Sequence, residues 1–415
     1  MKALNTEKLN FNIPSFEEVV NAFIPSEIYV PLEENQNKPK IGKKIKEGEI
    51  LSSFNNVNNH SSIPGVLSEI KKITMPNGKK SDAAVIKTEG SFSYVGHKIV
   101  KSEWNMFSSS KIISLLEENG VHNSFYNYEP ISNILLNVDI EKENTLGVRL
   151  FNLDPSVVTD CFIFEKYSEQ VLEGAFILAK AINASHVVFF YTKEQKEIIE
   201  DLECTELPED FSCEYLQVSV KKHSFGTADE LNYCVKKQDM VINSFVDTST
   251  CYAAYEAVAL CKPVVDTFVQ ISGTLLKEEK FFKVKRGTPL KNLIEECGLT
   301  KKPPYKVVIN GLLKGVAILD PNTPITDYVK SVTLLASKEV SKQKQYACIR
   351  CGDCYRACPA GIKPNVLFAM YHYNQDISNE YKKMAKLCSQ CGRCNTVCSS
   401  RLPLYQTISL ICEDN

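Results

Sequence analysis

Short apolar runs punctuated by Asn, Gly and Pro fill the first part of the chain: Ile28–Leu32, Ile50–Phe54, Gly65–Ile70 and Ala83–Gly90. Runs of this length between turn formers predict strands, so residues 1–100 read as a small all-β module. Pro76-Asn77-Gly78-Lys79-Lys80 supplies a tight turn between two of them. From 111 to 275 the pattern changes. Thr145–Phe151, His186–Tyr191, Glu214–Val220 and Asp239–Phe245 fit buried strands, while Tyr167–Ile182, Lys193–Glu203 and Thr250–Cys261 repeat with helical period. Such alternation predicts an α/β layer domain with a mostly parallel sheet. Residues 276–338 give strand, turn, helix and hairpin, with Gly298 placed to end the helix, the order of a β-grasp unit. The polar stretch Ser337–Gln345 leads into a last unit, 339–415.

Composition narrows the function. Of 415 residues, 48 are Lys or Arg and 50 Asp or Glu, a formal charge of −2, so no charge excess drives the chain onto nucleic acid. The longest apolar stretch, Gly174 to Tyr191, is broken by Lys180, Asn183 and His186, and no transmembrane segment is expected. The start, MKALNTEKLNFN, lacks the apolar run of a secretory signal, so a cytoplasmic location is expected. In a reducing compartment, 16 cysteines point to metal or redox chemistry rather than disulfides.

Half of those cysteines fall near the carboxyl end in a repeated pattern. Cys348, Cys351, Cys354 and Cys358 form C-x2-C-x2-C-x3-C followed by Pro359, and Cys388, Cys391, Cys394 and Cys398 repeat the spacing. Three thiolates at intervals of three residues curl a loop around three corners of a 4Fe-4S cube, and in two-cluster proteins the fourth usually reaches the other cube. The expected ligand sets are therefore Cys348, Cys351, Cys354 and Cys398 for one cluster, and Cys388, Cys391, Cys394 and Cys358 for the second. Structural zinc in two four-thiolate sites is the alternative, though zinc usually takes paired knuckles across a longer loop. Arg350, Arg356, Lys363, Arg393 and Arg401 either offset the cluster charge or are solvated. Lys363–Leu387 between the motifs has helical character, so a helical two-cluster ferredoxin-like domain is expected.

Taken in order, these units resemble the RnfC family, a component of the Rnf electron-transport complex, over nearly the whole chain. The resemblance is carried by His60–Ile70, Tyr255–Val265, Lys283–Gly298 and Cys348–Gly361. It implies a multidomain α/β and α+β fold. Its parts are an N-terminal barrel-sandwich hybrid, a central α/β domain like the flavoprotein of complex I, an SLBB-like β-grasp unit, and the cluster domain. Lipoyl carriers of the hybrid type present an acceptor lysine at a hairpin tip, but Lys79 and Lys80 lack the usual triplet and read as structural. Related proteins are cobalamin reductases and the electron-transfer protein of proline reductase.

The chain departs from that family in the stretches that would hold FMN and NADH, which here read Glu118-Asn119-Gly120-Val121-His122-Asn123 and Asn152-Leu153-Asp154-Pro155. Phosphates need close backbone amides, which glycine permits and bulkier residues obstruct. NADH binding is therefore not expected, and FMN, though possible, is not favoured. Cys251, in a first helical turn near that region, is a candidate redox thiol, because helix N-termini lower thiol pKa values; a buried packing role is the other reading. Cys161, Cys204, Cys213, Cys234, Cys261, Cys297 and Cys412 share no spacing, and His60, His97, His122, His186, His223 and His372 are scattered. The expected function is an electron-transfer protein working with a redox partner, specifically a proline-reductase-type enzyme. The alternatives are an NADH-dependent FMN dehydrogenase subunit and a non-catalytic docking subunit, with peripheral membrane association through other subunits.

Overall fold

The computed structural model describes residues 13–32, 38–89, 101–126, 128–136, 138–139, 141–203, 210–220, 224–236, 240–300, 302–340, 344–373 and 377–413. His97, Cys204 and His223 lie outside them.

The α/β domain is built on a four-stranded parallel sheet in the order Ser212–Gln217, Ala184–Tyr191, Asn144–Arg149, Ser244–Asp247. Val187 to Phe190 are buried whichever face they point to, as expected of a strand covered on both sides. The last strand begins at Ser244 rather than at Asp239. Helix Thr159–Ala181 crosses one face; it starts a full two turns before Tyr167, where a break in the helical backbone marks the join. The helix expected over Thr250–Cys261 runs as α over Thr248–Ala254 and widens to π over Tyr255–Ala259. The two helices pack closely because Gly174 has no side chain: a Cβ there would lie 1.8 Å from the Cys251 carbonyl oxygen.

The N-terminal module is an antiparallel sheet, Glu27–Pro31, Lys80–Thr88, Gly65–Thr74 and Lys44–Ile45, with a separate hairpin Ile50–Phe54/Val57–His60. Its turn closes through Gly78, at φ 83°, donating to Met75. A six-stranded mixed sheet follows, in the order Val19–Asn21, Lys280–Lys285, Asp266–Ser272, Ser331–Leu335, Lys306–Ile309, Val316–Ile318. Two of these strands fall across the boundaries read from sequence. Val19–Asn21, inside 1–100, pairs in parallel with Phe281–Lys283, and Asp266–Ser272, inside 111–275, pairs with Lys280–Lys285. Local periodicity shows that a segment is a strand but not which sheet it joins. Gly298, at φ 67°, ends helix Leu290–Cys297 as expected.

The terminal unit has five helices among its described residues, Asp353–Ala357, Pro364–His372, Asn379–Lys386, Arg393–Thr396 and Leu404–Glu413, packed around Leu367, Ala385, Ile408 and Ile411. Among the described residues no helix is long and apolar enough to cross a membrane.

Candidate electron-transfer site

The two cysteine motifs share one backbone design. Arg350 and Gln390 have φ 55° and 50°, and Gly352 and Gly392 have φ 79° and 71°. Left-handed residues at these matched positions turn each loop back on itself, a conformation glycine adopts without strain. Each glycine then caps a short helix, Asp353–Ala357 or Arg393–Thr396, with the third cysteine in its first turn. Free amides at such a start favour a negatively charged neighbour.

The sulfurs fall into two neighbourhoods. Burial raises the Cys354 thiol, and the nearby Cys398 and Cys351 add to it. Burial pushes Cys388 up to about 12, with Cys391, Cys358 and Cys412 contributing. Cys394 is raised further, by burial and then by Cys391, Cys388 and Cys358. The last cysteine of each motif therefore stands with the first members of the other. Amides act in the opposite sense: those of Ile362, Ala360 and Gly361 lower Cys358, and that of Gln390 lowers Cys388. Among the described residues no three His, Cys, Asp or Glu side chains converge on a point that could hold one metal ion. Four thiolates around one zinc at about 2.3 Å would stand only about 4 Å apart, so the zinc alternative finds no support.

The neighbourhoods differ in cover. Cys348 and Cys351 are exposed, whereas Cys391 and Cys394 are buried. The second loop is pinned to the α/β domain. The Ser224 hydroxyl donates to the Cys391 carbonyl at 2.6 Å, and Arg393 Nε donates to the Ser224 carbonyl at 2.7 Å. Arg393 also pairs with Glu230, whose carboxylate caps helix Ala228–Val235. Glycine is required at 392, since a Cβ there would lie 2.8 Å from the Leu313 carbonyl oxygen. Arg393, expected either to tune the cluster or to be solvated, is thus a buried, paired latch; Ser224 and Glu230 carried no signal of their own. The hint was Arg393 itself, standing between two cysteines where the first motif has Asp353.

Beside the second loop lies a cavity of about 70 Å³ lined by Tyr126, Arg149, Asn152, Lys314, Gln390 and Tyr405 among others. Its walls are committed elsewhere. Arg149 lies 4.2 Å over the Phe125 ring and donates to the carbonyls of Phe151 and Gly226. Asp154 accepts from the amides of Ser156 and Leu313, and Asn152 donates to Asp160. In the other stretch, Val121 is fully buried, the Asn119 side chain donates to the Ala257 carbonyl, and a Cβ on Gly120 would meet the Asn58 carbonyl oxygen at 2.7 Å. Burial raises the Asp247 carboxyl, but Lys330 and Arg149 override it and hold it low, while Lys330 also bridges to Asp160. Burial, then Arg149, lowers Lys314 to about 8, with Asp154 and Cys391 pulling the other way.

Cys251 corrects an expectation. It does sit in the first turn of its helix, but it is fully buried, and burial followed by Asp247 and Asp160 raises its pKa well above the ordinary thiol value. The helix terminus is outweighed by lost solvation and two carboxylates, so the thiolate that redox chemistry needs is suppressed.

Residues 343–402 match the family described as a 4Fe-4S dicluster domain. The chain is 23% identical over 375 residues to the RnfC-type component of the proton-translocating ferredoxin:NAD(+) oxidoreductase complex of Clostridium ljungdahlii, covering 83% of this chain and 78% of that one. It is 24% identical to the corresponding component of the ion-translocating oxidoreductase complex of Rhodobacter capsulatus, covering 55% of this chain and 45% of the relative, so it matches less than half of that protein's length. The counterpart in the ion-translocating oxidoreductase complex of Methanosarcina acetivorans is 33% identical over 28% of this chain and 26% of its own. A solved NAD+-reducing [NiFe]-hydrogenase in the H2-reduced state resembles 74% of this chain and 61% of its own at TM-score 0.47 and 12% identity; likeness at that level assigns neither fold nor cofactor. A dicluster match on the cysteine-rich unit and RnfC-type relatives over most of the length make this chain an RnfC-like protein.

Proposed function

We propose that the chain is a relay for single electrons, holding one 4Fe-4S cluster by Cys348, Cys351, Cys354 and Cys398 and a second by Cys388, Cys391, Cys394 and Cys358. The observation that carries this is the sorting of the sulfurs: Cys398 with Cys351 and Cys354, and Cys358 with Cys388, Cys391 and Cys394. The donor set suits iron-sulfur cubes, with all-thiolate ligands and amides directed at several of the sulfurs. When bound, the cubes would supply reversible one-electron chemistry, and the chain's own part is to hold, insulate and orient them.

FMN does not fit the chain in the same way. The cavity of about 70 Å³ is far below the roughly 300–1,000 Å³ of small-molecule pockets, and the stretches that would take the phosphate are filled by buried side chains and mutual hydrogen bonds. In this reading the chain carries electrons without flavin or nicotinamide. The barrel-sandwich and β-grasp identities of the two outer sheets belong to the same reading, supported by their strand orders. Relatives named as parts of a complex support partner subunits for this chain as well, with any membrane contact made through them; they lend no support to a proline reductase partner.

The crossing is tested by Cys398→Ser. Loss of one cluster signal in electron paramagnetic resonance, the one that Cys348→Ser also removes, is the expected result. If Cys398→Ser instead matches Cys388→Ser, each motif closes its own cube and the pairing is wrong. Anaerobic reconstitution with FMN is expected to leave no stoichiometric flavin on the protein, and tight one-to-one flavin would refute that part.

A further inference from the structure

The two cysteine loops share a backbone, yet their exposed chemistry is reversed from what burial would select. Positions 349, 350 and 355 of the first loop match 389, 390 and 395 of the second. The second loop, covered by Ser224, Glu230 and Leu313 of the same chain, carries Ser389, Gln390 and Asn395. The first, in which every residue from 344 to 351 is exposed, carries Ile349, Arg350 and Tyr355. Ile349 is 68% exposed, Tyr346 65% and Tyr355 48%. Large apolar and aromatic side chains left in water beside polar counterparts that are covered mark a surface waiting for a protein. Tyr and Arg together are the composition of a protein interface.

Charge selects the partner. Lys344, Arg350 and Arg356 surround the loop against one carboxylate, Asp353, which Arg356 already engages. The Tyr346 amide donates to the Ser400 carbonyl, which brings Arg401 to the same edge. A cationic rim on a chain of net charge −2 is a local feature rather than an overall bias. The exposed cysteines Cys348 and Cys351 lie within this patch. We infer that the loop from Lys344 to Cys351, with Tyr355, is the docking face for a one-electron carrier protein with an acidic rim. This deepens the relay reading and rests on it. One electron crosses, the chain is oxidised by one and the carrier reduced by one or the reverse, and no atom or proton moves with it.

The structure supplies the variant that tests this. Ile349→Ser, Arg350→Gln and Tyr355→Asn give the first loop residues that the second already carries on the same backbone, so the fold and cluster loading should survive. Binding of an acidic two-cluster ferredoxin to the iron-loaded chain is measured by calorimetry at low and high salt, with iron content determined on each sample. The native chain should bind, weaken with salt, and lose about tenfold in affinity in the triple variant, with a flatter salt dependence and unchanged iron. An iron-loaded triple variant that binds the ferredoxin as tightly as the native chain, or a native chain that binds a basic cytochrome equally well, overturns the docking face alone. A native chain without iron overturns the relay reading and the docking face with it, and the iron assay separates the two failures.

Discussion

Replacing Arg393 with Ala removes the latch between the second cysteine loop and the α/β domain. The side chain is 7% exposed, and it donates to the Ser224 carbonyl and to Glu230 Oε1. Breaking a buried ion pair costs about 3–5 kcal/mol when the remaining partner is stranded. Glu230 is not stranded, because Thr227 and the Gly226 amide still donate to its other oxygen and its side chain keeps 16% exposure. The Ser224 carbonyl, by contrast, loses its guanidinium donor in a buried position. The low end therefore applies, about 3 kcal/mol, which opens this contact roughly a hundredfold more often. Hydrogen exchange at the amides of the second loop and of helix Ala228–Val235 reads that opening directly. Arg356→Ala is the matched control: it removes the exposed pair with Asp353, 65% and 43% exposed, and should change exchange and stability by less than about 0.5 kcal/mol. Equal behaviour of the two variants would show that the buried pair holds nothing together.

Gly174→Ala should destabilise the α/β domain despite the better helix propensity of alanine, because the new Cβ meets the Cys251 carbonyl at 1.8 Å; thermal denaturation should show a loss of about 1–3 kcal/mol, and a gain would refute the close helix crossing. Iodoacetamide at pH 8 should label the exposed Cys261 while sparing Cys251 in the native chain, as mass spectrometry of the peptides will show; early labelling of Cys251 would restore it as a reactive thiol. Burial, then Arg286, lowers His60 from 6.5 to about 4, so the unfolded chain takes up a proton there before the folded one does. Its contribution is complete above pH 6.5 and is lost as the pH falls towards 4, about 3 kcal/mol in all. The melting temperature should fall through that window, and less steeply in His60→Asn; identical slopes would refute it.

Much of this was legible along the chain because it is local. The cysteine spacing is written in consecutive residues, and it predicted the loops and the crossing that the sulfur neighbourhoods support. The strands His186–Tyr191 and Ile50–Phe54 were likewise visible, since their apolar runs end at turn formers. What was hidden depends on distant pairing. Val19–Asn21 reads like any short strand, and only its docking on Phe281–Lys283 places it in another sheet. Ser224 and Glu230 look like ordinary helix-start residues until Arg393, far along the chain, arrives between them. Cys251 misled for the opposite reason: a helix start is a local feature, while burial and the carboxylates of Asp160 and Asp247 come from the tertiary fold.

Iron and acid-labile sulfide measured on anaerobically reconstituted protein bear most directly on the proposed pair of cubes. Two cubes per chain require about eight of each, falling to about four when the ligands of either set are replaced by serine. A chain that takes up no iron, or that binds zinc in its place without sulfide, would contradict the relay.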